Sequence, residues 1–258
     1  VYASDHHSYA QPERAVATHL NLNINVDFDQ RIIAGSATYD IQNFGSPEIV
    51  FDTKFLKIVA VLVDGKDAQY QMGELDETLG SSLKVAIEPN SKSVAIAFET
   101  TNETEALQWL NPQQTADKVA PFLFTQGEAI LTRSWIPIQD SPQIRITYDA
   151  TVKVPAGLMA VMSAENPKEK SADGVYQFTM KQPISPYLLA LAVGDIDYQA
   201  VSERTGVYAE KSVVEKAAWE FADMEKMVVA AEALYGKYVW EQFDVIVLPP
   251  SFPFGGME

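Results

Sequence analysis

From residue 16 to residue 28 the chain alternates with a period of two. Val16, Thr18, Leu20, Leu22, Ile24, Val26 and Phe28 fall on one face, with mostly polar residues between them. Successive side chains of an extended strand point to opposite faces, whereas a helix would scatter this set around its axis. The run predicts a half-buried strand, and a strand needs partners to pair with. Candidates follow at short intervals: 35–41, 49–51, 55–63 ahead of Asp64-Gly65, 83–87 and 93–98. Pro89-Asn90-Ser91, between the last two, reads as the turn of a hairpin. Phe122-Leu123-Phe124 is a short apolar run, and strand-like runs resume at 144–154, 158–163, 175–180 and 187–193. So many short strands predict a mainly β chain, an all-β sheet or sandwich. Residues 100–114 read as a polar loop, and 135–142 as a loop marked by proline.

The period changes near Gly206. Val214, Ala217, Phe221, Met224, Val228, Ala231 and Tyr235 recur at spacings of three and four, which lays one apolar stripe along a helix. Ser212-Val213-Val214-Glu215 has the form of a capping box, and Gly236 is placed to end the helix. A break at Asp223 is the alternative. An apolar run, Phe243 to Leu248, follows with strand composition. The expected division is therefore 1–205, a β domain, and 206–258, the opening helix and strand of an α/β or α+β domain.

A net charge of −16 argues against nucleic acid and anionic membrane as partners, since both call for a positive surface. With no cysteine, disulfides and thiolate metal sites are excluded. No apolar run reaches the length of a membrane span, and Val1-Tyr2-Ala3-Ser4 does not read as a signal peptide. Val1 in place of an initiator Met reads as a trimmed or processed chain. The compartment is not legible.

The most specific stretch is Pro249-Pro250-Ser251-Phe252-Pro253-Phe254-Gly255-Gly256-Met257-Glu258. Two adjacent glycines let another backbone approach closely, so a peptide could lie along this edge as an added strand. The carboxylate of Glu258 would then stand at one end, where a free α-ammonium group could pair with it. The segment resembles the Gly-x-Met-Glu-Asn motif of the M1 family of zinc aminopeptidases, in the form found in its leukotriene A4 hydrolase branch and bacterial relatives. Phe254 departs from that branch, which has Tyr here. A second motif, Thr125-Gln126-Gly127-Glu128-Ala129, resembles the Gln-x-Glu segment by which the β domain of the family reaches toward the first. The likeness continues through Ala106 to Leu110, Ile138 to Pro142, Leu158 to Ala164 and Tyr238-Val239-Trp240.

That resemblance implies a saddle-like N-terminal β domain followed by the start of a thermolysin-like α+β catalytic domain. It implies that Glu128 and Glu258 together grip the free N-terminal ammonium of a peptide, and that Gln126 lines the pocket for the first side chain. Two carboxylates facing one site repel each other until a cation lies between them, which selects free amines over blocked ones. Backbone groups of Gly255 and Gly256 would hold the peptide in line for attack, with Met257 and Phe254 alongside. The implied activity is removal of N-terminal residues by zinc-activated water, with one zinc ion held by His-Glu-x-x-His and a later Glu. Such ligands are not in this sequence: its histidines are His6, His7 and His19, and none belongs to that motif. His6-His7 is expected in a flexible, solvated arm. The chain alone is expected to be inactive, with the zinc-binding and C-terminal domains of the same protein as its partners. Glu128, where the epoxide-hydrolysing branch has Gln, points to peptides as substrate. The alternatives are that branch's epoxide hydrolase activity and a peptide-binding protein without catalysis.

Overall fold

The structure is a computed structural model and describes residues 2–254. Its strands are β1 (Ala15–Asp27), β2 (Ile32–Asn43), β3 (Glu48–Thr53), β4 (Lys57–Val63), β5 (Lys66–Asp67), β6 (Tyr70–Met72), β7 (Ser81–Ala86), β8 (Ser93–Glu99) and β9 (Leu107–Leu110). Then come β10 (Phe122–Thr125), β11 (Ile146–Lys153), β12 (Met159–Met162), β13 (Val175–Ile184), β14 (Leu191–Gly194), β15 (Ile196–Ala200) and β16 (Thr205–Glu210). Helices α1 (Lys211–Glu220) and α2 (Met224–Tyr235) precede β17 (Phe243–Ile246). Among the described residues, a seven-stranded sheet runs β13-β11-β1-β2-β8-β4-β5 and a four-stranded sheet runs β12-β14-β10-β9. Two three-stranded sheets, β3-β7-β6 and β15-β16-β17, complete the set. The chain is mainly β.

Strand β1 lies inside the large sheet, antiparallel to β2 and parallel to β11, with His19 opposite Thr147. Its inner residues Leu20, Leu22 and Ile24 are buried, while Asn21, Asn23 and Asn25 between them are exposed. The alternation fails at its start: Ala17 is buried and Thr18 exposed, because a bulge shifts the register between Ala17 and His19. A bulge adds one unpaired residue to a strand and interrupts its strict alternation. Thr18 thus leaves the core face on which the period places it.

The expected hairpin across Pro89-Asn90-Ser91 does not form. The turn itself is tight, with Ser91 N donating to Glu88 O at 3.0 Å and Glu88 N to Ser91 Oγ at 2.9 Å. Yet β7 pairs with β3 and β6, whereas β8 pairs with β2 and β4. The turn passes from one sheet to another, and Leu83 and Val85 share one core cluster with Val94, Ile96 and Phe98. Residues 107–110, expected in a loop, form β9 on the edge of the four-stranded sheet. The stripe from Val214 to Tyr235 is carried by two helices, broken at residues 221–223, which is the alternative break at Asp223. No capping box forms: Glu210 is the N-cap, and Ser212 N points at the Asp117 carboxylate at 3.3 Å. Gly236 does end α2, at φ 98°. Only the first part of the stripe is covered; Ala217, Met224 and Val228 are buried, whereas Ala231 and Tyr235 are exposed, as are Trp219 and Leu234 off the stripe. No helix among the described residues is long and apolar enough to cross a membrane.

Candidate functional site

The Gln-Gly-Glu motif lies where β10 runs out. All four residues of β10 are buried, since the strand sits between β9 and β14, and its last residue, Thr125, accepts Leu191 N on Oγ1 at 2.9 Å. Gln126 N then donates to Ala106 O at 2.8 Å, and the chain turns out of the sheet, with Leu131 N returning to Gly127 O at 2.8 Å. Glu128 stands at the exposed tip of this turn and Gln126 is half-buried at its foot. The Glu128–Ala129 peptide is cis. Gly127 between them has no room for a side chain. A Cβ there would lie 2.5 Å from Thr132 Oγ1 and 2.8 Å from Tyr187 O.

Behind the turn, a 3-10 turn, Thr132–Ser134, is clamped from several sides. Thr132 Oγ1 donates to Pro186 O at 3.0 Å, and Ser134 Oγ, donating to Leu131 O at 2.7 Å, accepts Ala106 N at 3.0 Å. Arg133 is fully buried and its guanidinium has its donors engaged. Nε donates to Asp140 Oδ2 at 3.1 Å, Nη1 to Leu79 O at 2.8 Å, and Nη2 to His7 O at 2.6 Å and Asp140 O at 3.1 Å. Asp52 lies 3.7 Å from Nη1 and accepts Ser8 Oγ at 2.5 Å, Tyr9 N at 2.7 Å and Asp140 N at 2.8 Å. Burial pushes both carboxyl groups up, Asp140 to about 6, and the single guanidinium opposes this without cancelling it. Gln139 next to them is spent on backbone, donating to Ala15 O and Val50 O at 3.1 Å and accepting Ala17 N at 2.8 Å.

The final described segment comes back to this strand. Phe252 packs edge-on against Phe124 of β10, ring centroids 5.4 Å apart, and against Phe254 at 5.6 Å. Ser251 Oγ donates to Gln114 O at 3.2 Å, and Phe252 N closes a turn onto Pro249 O at 2.9 Å. The strand that leads into Gln126 and the segment that leads into Gly255 are therefore in contact. Phe254 is 54% exposed beside them. Gly255, Gly256, Met257 and Glu258 lie outside the described residues.

Arg133, Asp52 and the Phe124–Phe252 contact were not among the residues that sequence reasoning singled out. One signal was available: Arg133 and Asp140 flank Trp135-Ile136-Pro137-Ile138, and opposite charges around so apolar a stretch point to a buried pair. The N-terminal arm also differs from expectation. His6 and His7 are exposed, but the arm is tied down through Ser8, Tyr9, His7 O and Asp5, whose carboxylate accepts Ser141 Oγ at 2.5 Å.

The residues present do not fit a zinc site. His6 and His7 lie on the exposed arm, while His19 Nδ1 is 2.8 Å from Thr147 Oγ1 and its Nε2 3.3 Å from Asp149 Oδ2. Among the described residues no three or more His, Asp or Glu side chains are grouped to hold a metal. A cleft of about 660 Å³ opens elsewhere, between residues 162–168, 179–184 and 238–244, and includes none of the predicted site residues. Several of its polar groups are already paired: Asn166 with Met162 N and O, Gln182 with Val239 O, and Gln242 with Asp244.

Comparison with known proteins follows the same lines. Residues 16–188 match the model of the peptidase M1 N-terminal domain. Leukotriene A-4 hydrolase of Xenopus laevis is 41% identical over 99% of this chain and 44% of its own length. Leucine aminopeptidase 2 of Yarrowia lipolytica is 42% identical over 93% of this chain and 38% of its own. The chain thus spans about two fifths of the length of the curated relatives it matches. Leukotriene A4 hydrolase from Saccharomyces cerevisiae superposes with a TM-score of 0.93 at 33% identity, over 99% of this chain and 41% of that one. The M1 zinc metallopeptidase from Deinococcus radiodurans shares the fold, with a TM-score of 0.74 at 18% identity over 92% of this chain and 57% of that one.

Proposed function

Because the chain belongs to the M1 family of peptidases, through that family's N-terminal domain, we propose that it supplies the amine-anchoring half of a zinc aminopeptidase. In this reading Glu128 and Glu258 bind the free N-terminal ammonium of a peptide. Gln126 lines the pocket for the first side chain, and the backbone of Gly255 and Gly256 holds the scissile peptide in line, with Met257 and Phe254 at the margin. Zinc would be held by residues beyond this chain; when bound, it activates the water that attacks the peptide carbonyl. Residues 1–205 are assigned to the β domain and 206–258 to the start of the catalytic domain. The remaining catalytic and C-terminal domains of the same protein would complete the site, and this chain alone would not turn over peptides.

The observation that carries the reading is the contact of Phe252 with Phe124. It brings the segment that leads to Gly255 against the strand that leads into Gln126, which supports a single site built from both motifs. Glu128, exposed on the tip of its turn, is free to meet a cation from solvent. Replacing a carboxylate by an amide keeps shape and removes charge. Glu128→Gln and Glu258→Gln, each in the whole enzyme, are expected to lower kcat/KM for L-leucine p-nitroanilide by roughly a hundredfold, about what a charged hydrogen-bonded partner of 2–3 kcal/mol is worth. Thermal unfolding should be unchanged. Kinetics equal to the parent enzyme would remove the assignment.

A further inference from the structure

Among the described residues the side chains of Gln126 and Glu128 make no hydrogen bond, and the backbone of their turn is held from behind. Gln126 N is fixed by Ala106 O, Ala106 N by Ser134 Oγ, Ser134 Oγ by Leu131 O, and Leu131 N by Gly127 O. This is a closed ring of hydrogen bonds that runs from the foot of the motif to the 3-10 turn and back. What holds the 3-10 turn is Arg133. Its backbone N donates to Asp140 Oδ2 at 3.1 Å, its backbone O accepts Lys54 N at 2.9 Å, and its guanidinium joins Asp140, Leu79 O and His7 O. Four segments distant in sequence therefore meet on one residue: the N-terminal arm, the end of β3, the 76–80 loop and the 138–141 loop.

A buried ion cluster is a poor source of net stability, because desolvation offsets most of the attraction. Two acids on one guanidinium leave a net negative charge in the core, which an apolar core of the same volume would avoid. Such a cluster is better suited to fixing one arrangement than to lowering the energy of the fold. We infer that Arg133, with Asp140 and Asp52, is a positioning residue for the Glu128 carboxylate. It sets where the carboxylate stands through the Ser134–Ala106–Gln126 ring and does not itself touch substrate. This rests on the anchoring role proposed above.

A double-mutant cycle in the whole enzyme tests it, with kcat/KM on L-leucine p-nitroanilide as the readout. Asp140→Asn keeps the shape of the carboxyl group and removes the charge that orients Arg133. With Glu128 present, the loss expected is roughly tenfold, a part of the hundredfold that a misplacement of about 1 Å can cost. In a Glu128→Gln background the same change should cost less than about twofold, since no carboxylate is left to position. An equal loss in both backgrounds would mean that the cluster merely supports the fold, and no loss in the first would do the same; either outcome overturns the inference. Should Asp140→Asn fail to fold, Ser134→Ala, which opens the ring at one hydroxyl, takes its place and is read by the same rule. Glu128→Gln without effect would instead remove the anchoring role, and this inference with it. A Glu128→Gln loss on which Asp140→Asn simply adds would remove this inference alone.

Discussion

Gly127→Ala adds one carbon at the centre of the motif, and the structure says where it goes. The new Cβ would stand 2.5 Å from Thr132 Oγ1 and 2.8 Å from Tyr187 O, where ordinary contact begins at 3.4 Å. The shortfalls are 0.9 Å (3.4 − 2.5) and 0.6 Å (3.4 − 2.8). The hydroxyl belongs to a side chain and could swing, at the cost of its bond to Pro186 O. The carbonyl of Tyr187 is backbone, next to the 3-10 turn Pro186–Leu188, and has little freedom to retreat. The Gln126–Glu128 turn must therefore move outward by about 0.6 Å. Overpacking of this kind costs on the order of 1–3 kcal/mol of stability. If a misplacement of about 1 Å costs roughly a hundredfold in rate, a shift of this size should cost about tenfold in kcat/KM for a free-amine substrate. The assay is steady-state kinetics on L-leucine p-nitroanilide beside thermal unfolding of the same preparation. A variant with lowered Tm and parental kinetics would refute the claim that this turn presents a group to the substrate. One with parental Tm and parental kinetics would refute the packing argument as well.

Two further outcomes follow from residues around the same turn. The folded-state pKa of Asp140, raised to about 6, lies above the unfolded value of 3.8. Between these values the folded chain holds a proton that the unfolded chain has released, so stability falls as pH rises through about 4 to 6 and is level above. Urea midpoints measured across that range should slope less for Asp140→Asn than for the parent, and parallel slopes would contradict the assignment. Phe252→Ala removes a half-buried ring from Phe124; an aromatic pair contributes about 0.5–1.5 kcal/mol beyond its burial. It should loosen the segment leading to Gly255 and raise KM for the same substrate several-fold, with Phe252→Leu intermediate. An unchanged KM would mean that the contact does not orient that segment.

Local periodicity carried most of the strand assignments, because β1 and its neighbours keep one face in the core and one in solvent, and a period of two records that directly. It was silent on which strands pair. The turn after β7 has every mark of a hairpin, yet its flanking strands part into different sheets, since both inner faces are apolar and either pairing satisfies the pattern. The helical stripe was legible, but its break at 221–223 and the bare residues Leu234 and Tyr235 depend on what covers each turn. Glu128 and Gln126 were singled out by motif. Arg133 was not, because its partners Asp52, Leu79 and His7 come from separate segments, and no window of sequence holds them together.

The parallel pairing of β1 with β11 sets an order of assembly during synthesis. His19 and its neighbour Thr147 are 128 residues apart (147 − 19), and everything needed for β1, β2, β8, β4 and β5 has been made by Glu99. At about 5–20 residues per second, the ribosome needs on the order of 6–25 s to deliver β11 after β1 has emerged. For that interval β1 is the border of a partial sheet, with one ladder of backbone groups unanswered. A strand flanked on both sides in the finished sheet is, while the chain is being born, an open seam.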